Sequence, residues 1–190
     1  MTRQQSFRQA NAFAMLDGLW FGLYWCFGFL CVIKGMGSST LGSLGTMVTL
    51  SVPVLGCFFA RKFERQVRED ALVGFGKAYL YGFLLYFYAS LILAIFAFVY
   101  FNWFDHGVFA QNYIAALNSP EVREVLQQDS FNLMLGSATA QSGFGSVEEL
   151  VRSITPVDMA AGLFNMNILI GLLLALPTAA FGYTRRRKLF

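Results

Sequence analysis

The sequence has 190 residues, of which 56% are hydrophobic, 17% aromatic and only 13% charged, with a formal net charge of +3. Soluble domains carry roughly 25% charged residues, so this chain has about half the usual share. A water-soluble fold needs more polar side chains than this to cover its surface, and lipid is therefore the predicted solvent. At this length a single domain is expected.

Four stretches are long and apolar enough to cross a hydrocarbon core of ~30 Å, which requires ~20 helical residues. They cover residues of about 12–33, 41–60, 77–103 and 156–183. Each is predicted to be helical, because lipid offers no hydrogen-bond partner to an open sheet edge. The predicted fold is all-α, a four-transmembrane-helix bundle formed by residues 1–190 as one membrane domain.

Three local signals mark the ends of these spans. The glycine-rich segment 34–39 predicts a tight hairpin between the first two spans. The charge run 61–70 is interpreted as a loop outside the lipid. Thr155 is a predicted N-cap, followed by Pro156 at the first helical position and Asp158 in the first turn.

The basic residues indicate the orientation of the bundle. Eleven of the 14 lie near the N-terminus, in or just after the charge run, or in the C-terminal tail. They are Arg3, Arg8, Arg61, Lys62, Arg65, Arg68, Lys77, Arg185, Arg186, Arg187 and Lys188. Because a basic excess marks the cytoplasmic face, both termini are predicted to be cytoplasmic.

The extracytoplasmic segment is then 104–155, between the third and fourth spans. Phe109, Tyr113 and Leu117 recur at helical spacing. Residues 119–126 begin with a serine cap and a proline, and residues 146–149 fit a capping box. These patterns predict short amphipathic helices whose apolar faces lie on the membrane surface or cover the end of the bundle.

Asp17 is the most suggestive polar residue in a span, since an acid within a membrane is costly and often functional. Lys77, at the same predicted depth of the third span, is its predicted salt-bridge partner. Placement at the headgroups, or a role in proton, ion or partner contact, are the alternatives for Asp17. The aromatic residues of the third span, including Tyr81 and Tyr86, are predicted to lie mostly at the interface or against lipid.

Small residues repeat along two spans. In the fourth span an amide and three small residues recur at a spacing of four, and the first span has a glycine pair with the same spacing. Such stripes allow close helix packing, either within the bundle or with a second chain. The predicted packing or partner face consists of Asn167, Gly171, Ala175, Ala179, Gly18 and Gly22.

No catalytic constellation, cofactor site or metal site is predicted. The three cysteines, Cys26, Cys31 and Cys57, lie in apolar segments at spacings that match no zinc pattern. Nucleic-acid binding would require a basic folded domain, which the sequence lacks. The expected contacts are membrane lipids together with a protein partner or a second copy of the chain.

The runs GFGKAYLYGF at 74–83 and ASLILAIFAFVYFNWFD at 89–105 resemble a family of small four-span membrane proteins common in Bacteroidetes and classed as a domain of unknown function. The sequence departs from that pattern in its longer Gly/Ser-rich loop at 136–145. The resemblance implies the bacterial inner membrane. It also implies a link to a polyprenyl-phosphate glycosyltransferase, because genes of the family often lie near the gene for such an enzyme.

The leading functional hypothesis is a non-enzymatic accessory or scaffold protein that anchors or assists a membrane partner. In the most specific version of this hypothesis, the partner is that glycosyltransferase. The alternative is a small transporter or channel subunit, although polar residues are sparse along the predicted spans. A membrane enzyme ranks third, because catalysis within spans requires several converging ionisable groups and the sequence offers one.

Overall fold

A computed structural model of the chain describes residues 3–36, 39–67, 72–118 and 147–184. Within these ranges lie α1 (Arg3–Gly35), α2 (Ser39–Val67), α3 (Phe75–Trp103), α4 (Val108–Leu117), α5 (Val147–Ser153) and α6 (Pro156–Gly182). The four longer helices, α1, α2, α3 and α6, are long and apolar enough to cross a membrane. The predicted all-α, four-span fold is confirmed.

The end of α2 corrects one prediction. Residues 61–67 of the charge run, interpreted as a loop, continue α2 as helix, while 68–70 lie outside the described residues. The reason is that Ala60, Phe63 and Val67 are buried at helical spacing on the face that packs into the bundle. Helical packing therefore extends about two turns beyond the predicted end of the apolar span.

The four long helices run alternately up and down. α1 and α2 are antiparallel, because Tyr24 hydrogen-bonds Ser51 (2.6 Å) while Lys62 contacts Asp17 earlier in α1. α3 is the central helix and packs most extensively against α6 and α1. Phe75 at the start of α3 contacts Tyr183 just beyond α6, whereas Phe87 in the middle of α3 contacts Phe164 near the start of α6, so these two helices are antiparallel as well.

The two ends of the bundle differ in character. At one end, here named the basic end, lie the start of α1, the end of α2, the start of α3 and the end of α6. Lys77 donates to Gln9 there (2.6 Å), and Thr184 donates to Glu64 (3.1 Å). At the opposite end, named the loop end, α4 contacts α5. The basic end is the one predicted to face the cytoplasm.

Two helix starts are stabilised by side chains at the loop end. Thr155 is the N-cap of α6, with Pro156 and Asp158 in the first turn, as predicted, and the side chain of Asp158 also completes a reciprocal capping box with Thr155. The carboxylate of Asp105 accepts hydrogen bonds from the backbone N–H of Phe109 at 3.0 and 3.1 Å. α4 and α5 confirm helices at two of the predicted amphipathic segments, while the prediction for 119–126 falls outside the described residues.

Candidate functional site

The main polar cluster lies inside the basic half of the bundle and is centred on Asp17. Ala10, Ala14, Asp17 and Phe21 recur at helical spacing on the buried face of α1. The residue Asp17 is only 3% exposed, and its carboxylate contacts two other helices. Lys62 of α2 forms an ion pair with one carboxylate oxygen and Tyr81 of α3 donates to the other, so Asp17 links three helices.

The distances give the cluster a defined geometry. Lys62 Nζ lies 2.6 Å from Asp17 Oδ1, and the hydroxyl of Tyr81 lies 2.8 Å from Asp17 Oδ2. The Tyr81 hydroxyl also lies 3.3 Å from the carbonyl oxygen of Phe59. The side chain of Lys62 is 42% exposed whereas that of Asp17 is 5% exposed. The cation therefore reaches the surface and the anion does not.

Tyr81 is held by an aromatic stack as well as by its hydroxyl. Its ring lies parallel to that of Phe63, with centroids 4.1 Å apart and planes 3° apart. Both side chains are fully buried. Tyr86 is buried too, so the prediction that the tyrosines of this span lie mainly at the interface or against lipid was wrong for Tyr81 and Tyr86. Their rings fill the contact of α3 with its neighbours.

The predicted partner of Asp17 was Lys77, but the ion pair that the structure records is with Lys62. Lys77 instead donates to Gln9 (2.6 Å), and its ammonium lies 5.9 Å from the ring centroid of Phe63. Lys62 was missed because the charge run was assigned to a loop. The helical spacing of Ala60, Phe63 and Val67 was the sequence signal that places Lys62 on a packed helix.

Two further polar contacts attach α6 to the bundle. The hydroxyls of Tyr86 and Thr178 lie 3.3 Å apart in a buried contact between α3 and α6. Beyond α6, Thr184 donates to the buried Glu64 of α2, and its backbone N–H donates to the carbonyl of Val73 (2.9 Å). Sequence reasoning identified none of these pairs, because each depends on how separate helices align.

The small-residue stripe of α6 lies against protein over most of its length. Ala175 and Ala179 are fully buried, and Gly171 is buried against α3. A Cβ added to Gly171 would lie 2.7 Å from Tyr86 Cβ, a distance that real Cβ atoms do not tolerate. Asn167, at the loop-end limit of the stripe, is half-buried and lines a cleft instead.

The glycine pair of α1 makes an equally close contact with α3. A Cβ added to Gly18 would lie 2.7 Å from Tyr88 Cβ, and one added to Gly22 would lie 2.9 Å from Ile92 Cβ. Both glycines thus bring the α1 backbone against α3. Within the described residues, the two stripes serve contacts between helices of the same chain.

An apolar cleft of about 400 Å³ lies in the loop-end half of the bundle, between α2 and α6. Trp25, Phe29 and Leu93 form its back wall, Val52 and Pro53 one side, and Leu163, Ile170 and Leu174 the other. Its lining includes the polar side chains of Thr49 and Asn167 and the indole of Trp25. Thr49 donates to the carbonyl of Gly45 (2.9 Å). For the Asn167 amide, no hydrogen-bond partner is found among the described residues.

The cleft opens towards the surface between α2 and α6, since these helices separate towards the loop end. Their close contacts lie in the basic half: an added Cβ on Gly182 would lie 2.9 Å from Ala60 Cβ, and Thr184 contacts Glu64. At the level of the cleft the other helix pairs remain in contact, as Phe29 with Phe96 and Phe87 with Phe164 show. The opening therefore faces the region that the bilayer would occupy.

No group of three or more His, Cys, Asp or Glu side chains able to hold a metal ion is found among the described residues. The ionisable groups that do converge, Asp17 and Lys62, neutralise each other. What the geometry provides is thus a buried, charge-compensated cluster around Asp17 and an apolar cleft with one amide.

Comparison with known proteins identifies a family. Residues 16–182 match the family described as "Protein of unknown function (DUF4199)". The chain belongs to the DUF4199 family. The match includes most of α1 and all of α2, α3 and α6, so the Asp17 cluster and the cleft both lie inside the family region. Neither a curated protein nor a solved structure matches this DUF4199 chain.

Proposed function

We propose that this DUF4199 protein is a non-enzymatic accessory protein of the bacterial inner membrane, which receives a hydrophobic segment of a partner membrane protein in the cleft between α2 and α6. The observation that carries the proposal is the half-buried amide of Asn167 in a cleft open to the bilayer. In hydrocarbon such an amide is stabilised by a hydrogen bond to a second helix.

The form of the cleft supports a protein partner. Its walls are branched and aromatic side chains, and about 400 Å³ accommodates large side chains projecting from a neighbouring helix. The stripe at Gly171, Ala175 and Ala179 already packs within the chain, so Asn167 is the part of it left for another molecule. The most specific version takes a polyprenyl-phosphate glycosyltransferase as the partner, on the strength of the family resemblance.

The experiment is affinity purification of the full chain in mild detergent, combined with a photo-crosslinking residue in place of Ile170, which lines the cleft. We expect one integral membrane protein to be recovered and crosslinked, and Asn167→Leu to lower its recovery on the order of fivefold. Leu173, 67% exposed and outside the cleft lining, is the control crosslinking position. Asn165→Leu, exposed on the same helix, is the control substitution.

Several outcomes would contradict the proposal. Repeated recovery of the protein alone, or crosslinks at Ile170 to lipid only, would mean that no partner protein enters the cleft. Crosslinks to a second copy of the chain would replace the partner with self-association. Recovery of a membrane protein that is not a glycosyltransferase would refute the glycosyltransferase as the partner and leave the accessory role standing.

The alternative, a small transporter or channel, requires polar groups along the depth of the membrane. The Asp17 cluster supplies them in the basic half, but Lys62 and Tyr81 occupy its carboxylate, and the cleft beyond it is mainly apolar. Flux measurements in liposomes, comparing the unmodified protein with Asp17→Asn, separate the two functions. Ion or solute flux that depends on Asp17 would favour transport.

A further inference from the structure

A second surface, separate from the cleft, lies on the outward side of α2 at the basic end. Val54, Phe58, Arg61 and Arg65 recur at helical spacing along one stripe of the helix, and Phe181 of α6 borders it. These five residues are named the Arg61–Arg65 surface. Together with their neighbours they line a groove of about 560 Å³.

The surface changes from apolar to cationic along the helix axis. Val54 is 70% and Phe58 64% exposed, while Arg61 and Arg65, about one and two turns further towards the basic end, are exposed as well. The guanidinium of Arg61 lies 5.8 Å from the ring centroid of Phe181. Apolar side chains thus lie at the depth of hydrocarbon, and cations at the depth of the headgroups.

The two arginines differ from Lys62 in their charge environment. Lys62 is neutralised by Asp17 at 2.6 Å, but neither Arg61 nor Arg65 has an acidic partner within the described part of the chain. Glu64, the nearest acid on α2, is buried and accepts a hydrogen bond from Thr184. Like charges four residues apart repel each other, and an anion between them removes the repulsion.

We infer that the Arg61–Arg65 surface binds an anionic phospholipid. The two guanidinium groups bind the phosphate, for which arginine offers paired N–H donors, and an acyl chain covers Phe58 and Val54. A free phosphate would contact the arginines alone and leave the apolar half of the surface uncovered. Two cationic side chains next to an exposed apolar stripe therefore match the phosphate and the acyl chain of a lipid.

The test uses the full chain in detergent, titrated with phosphatidylglycerol or with zwitterionic phosphatidylcholine, and counts bound lipid by native mass spectrometry. We expect Arg61→Gln or Arg65→Gln to weaken phosphatidylglycerol binding about fivefold, and the double variant about 25-fold. Phosphatidylcholine binding should be weaker and unchanged by either substitution. Arg152→Gln, an exposed arginine at the loop end, is the matched control and should bind as the unmodified protein does.

Unchanged phosphatidylglycerol binding by the double variant would overturn the inference, as would an equal loss in Arg152→Gln. Displacement of the lipid by inorganic phosphate at equal concentration would show that the site recognises the anion without the chain. If the glutamine variants do not fold, Arg61→Lys with Arg65→Lys replaces them. That variant retains the charge and should still prefer phosphatidylglycerol to phosphatidylcholine, and loss of the preference would equally overturn the inference.

Discussion

Lys62 on α2 and Asp17 on α1 form an ion pair in which Nζ lies 2.6 Å from Oδ1, yet only the lysine reaches the surface. Removing Lys62 and removing the charge of Asp17 should therefore change the stability of the protein by different amounts. Without Lys62, the hydroxyl of Tyr81 is the remaining partner of the buried carboxylate among the described residues. Without the charge of Asp17, the ammonium of Lys62 can still be hydrated.

The first prediction follows from this asymmetry. Lys62→Met should lower the free energy of unfolding by about 1–3 kcal/mol, Asp17→Asn by less, and the double variant by less than Lys62→Met alone. Thermal unfolding in detergent measures the four proteins. The same cycle with Lys77→Met is the control, since Lys77 hydrogen-bonds Gln9. Stronger coupling of Asp17 to Lys77 than to Lys62 would restore the pairing predicted from sequence.

The hydroxyl of Tyr81 provides the second prediction. Tyr81→Phe retains the stacked ring on Phe63 but leaves one oxygen of Asp17 without its donor. We expect a loss of about 1–3 kcal/mol in the free energy of unfolding, because a buried acceptor then lacks a partner. Tyr79→Phe, a half-buried tyrosine whose hydroxyl lies 3.5 Å from the carbonyl of Leu172, is the control and should change little. Equal effects would indicate that the hydroxyl of Tyr81 contributes nothing specific.

The third prediction concerns glycines on α6. Gly171→Ala places a Cβ 2.7 Å from Tyr86 Cβ, and Gly162→Ala meets no atom within 4 Å. The first should destabilise the protein by about 1–3 kcal/mol through overpacking, and Gly171→Leu by more. The second should be neutral or slightly stabilising, since alanine favours helix. Unfolding curves that coincide for the two alanine variants would exclude the tight α3–α6 contact.

The fourth prediction is the orientation of the bundle. A reporter active only outside the cytoplasm should be inactive when fused after Phe190 and active when inserted between Ser137 and Ser142. The reason is the concentration of basic residues at the end that carries Lys62 and Lys77. Activity at the C-terminal fusion would place the basic end outside and reverse the topology.

The four spans and the start of α6 were predictable, because the length of an apolar run and an N-cap followed by proline are local properties of sequence. The partner of Asp17 was not, since it depends on the rotation and axial position of α2 relative to α1. Because the residues around Lys62 are mostly charged, the segment was predicted to be a loop, although the buried residues Ala60, Phe63 and Val67 continue the helix. In the sequence, Tyr81 and Tyr86 look like the interfacial tyrosines of a membrane span. Their burial becomes visible only when α3 is packed against the neighbouring helices.

The contact between Tyr86 and Thr178 has a consequence for biosynthesis. The chain is synthesised from α1 onwards, so α3 enters the membrane before α6 exists. Until α6 is inserted, the hydroxyl of Tyr86 lacks Thr178, and the α3 surface that will pack against Gly171 is open to lipid. A chain truncated before Pro156 would therefore leave the hydroxyl of Tyr86 without its α6 partner and the facing surface of α3 uncovered.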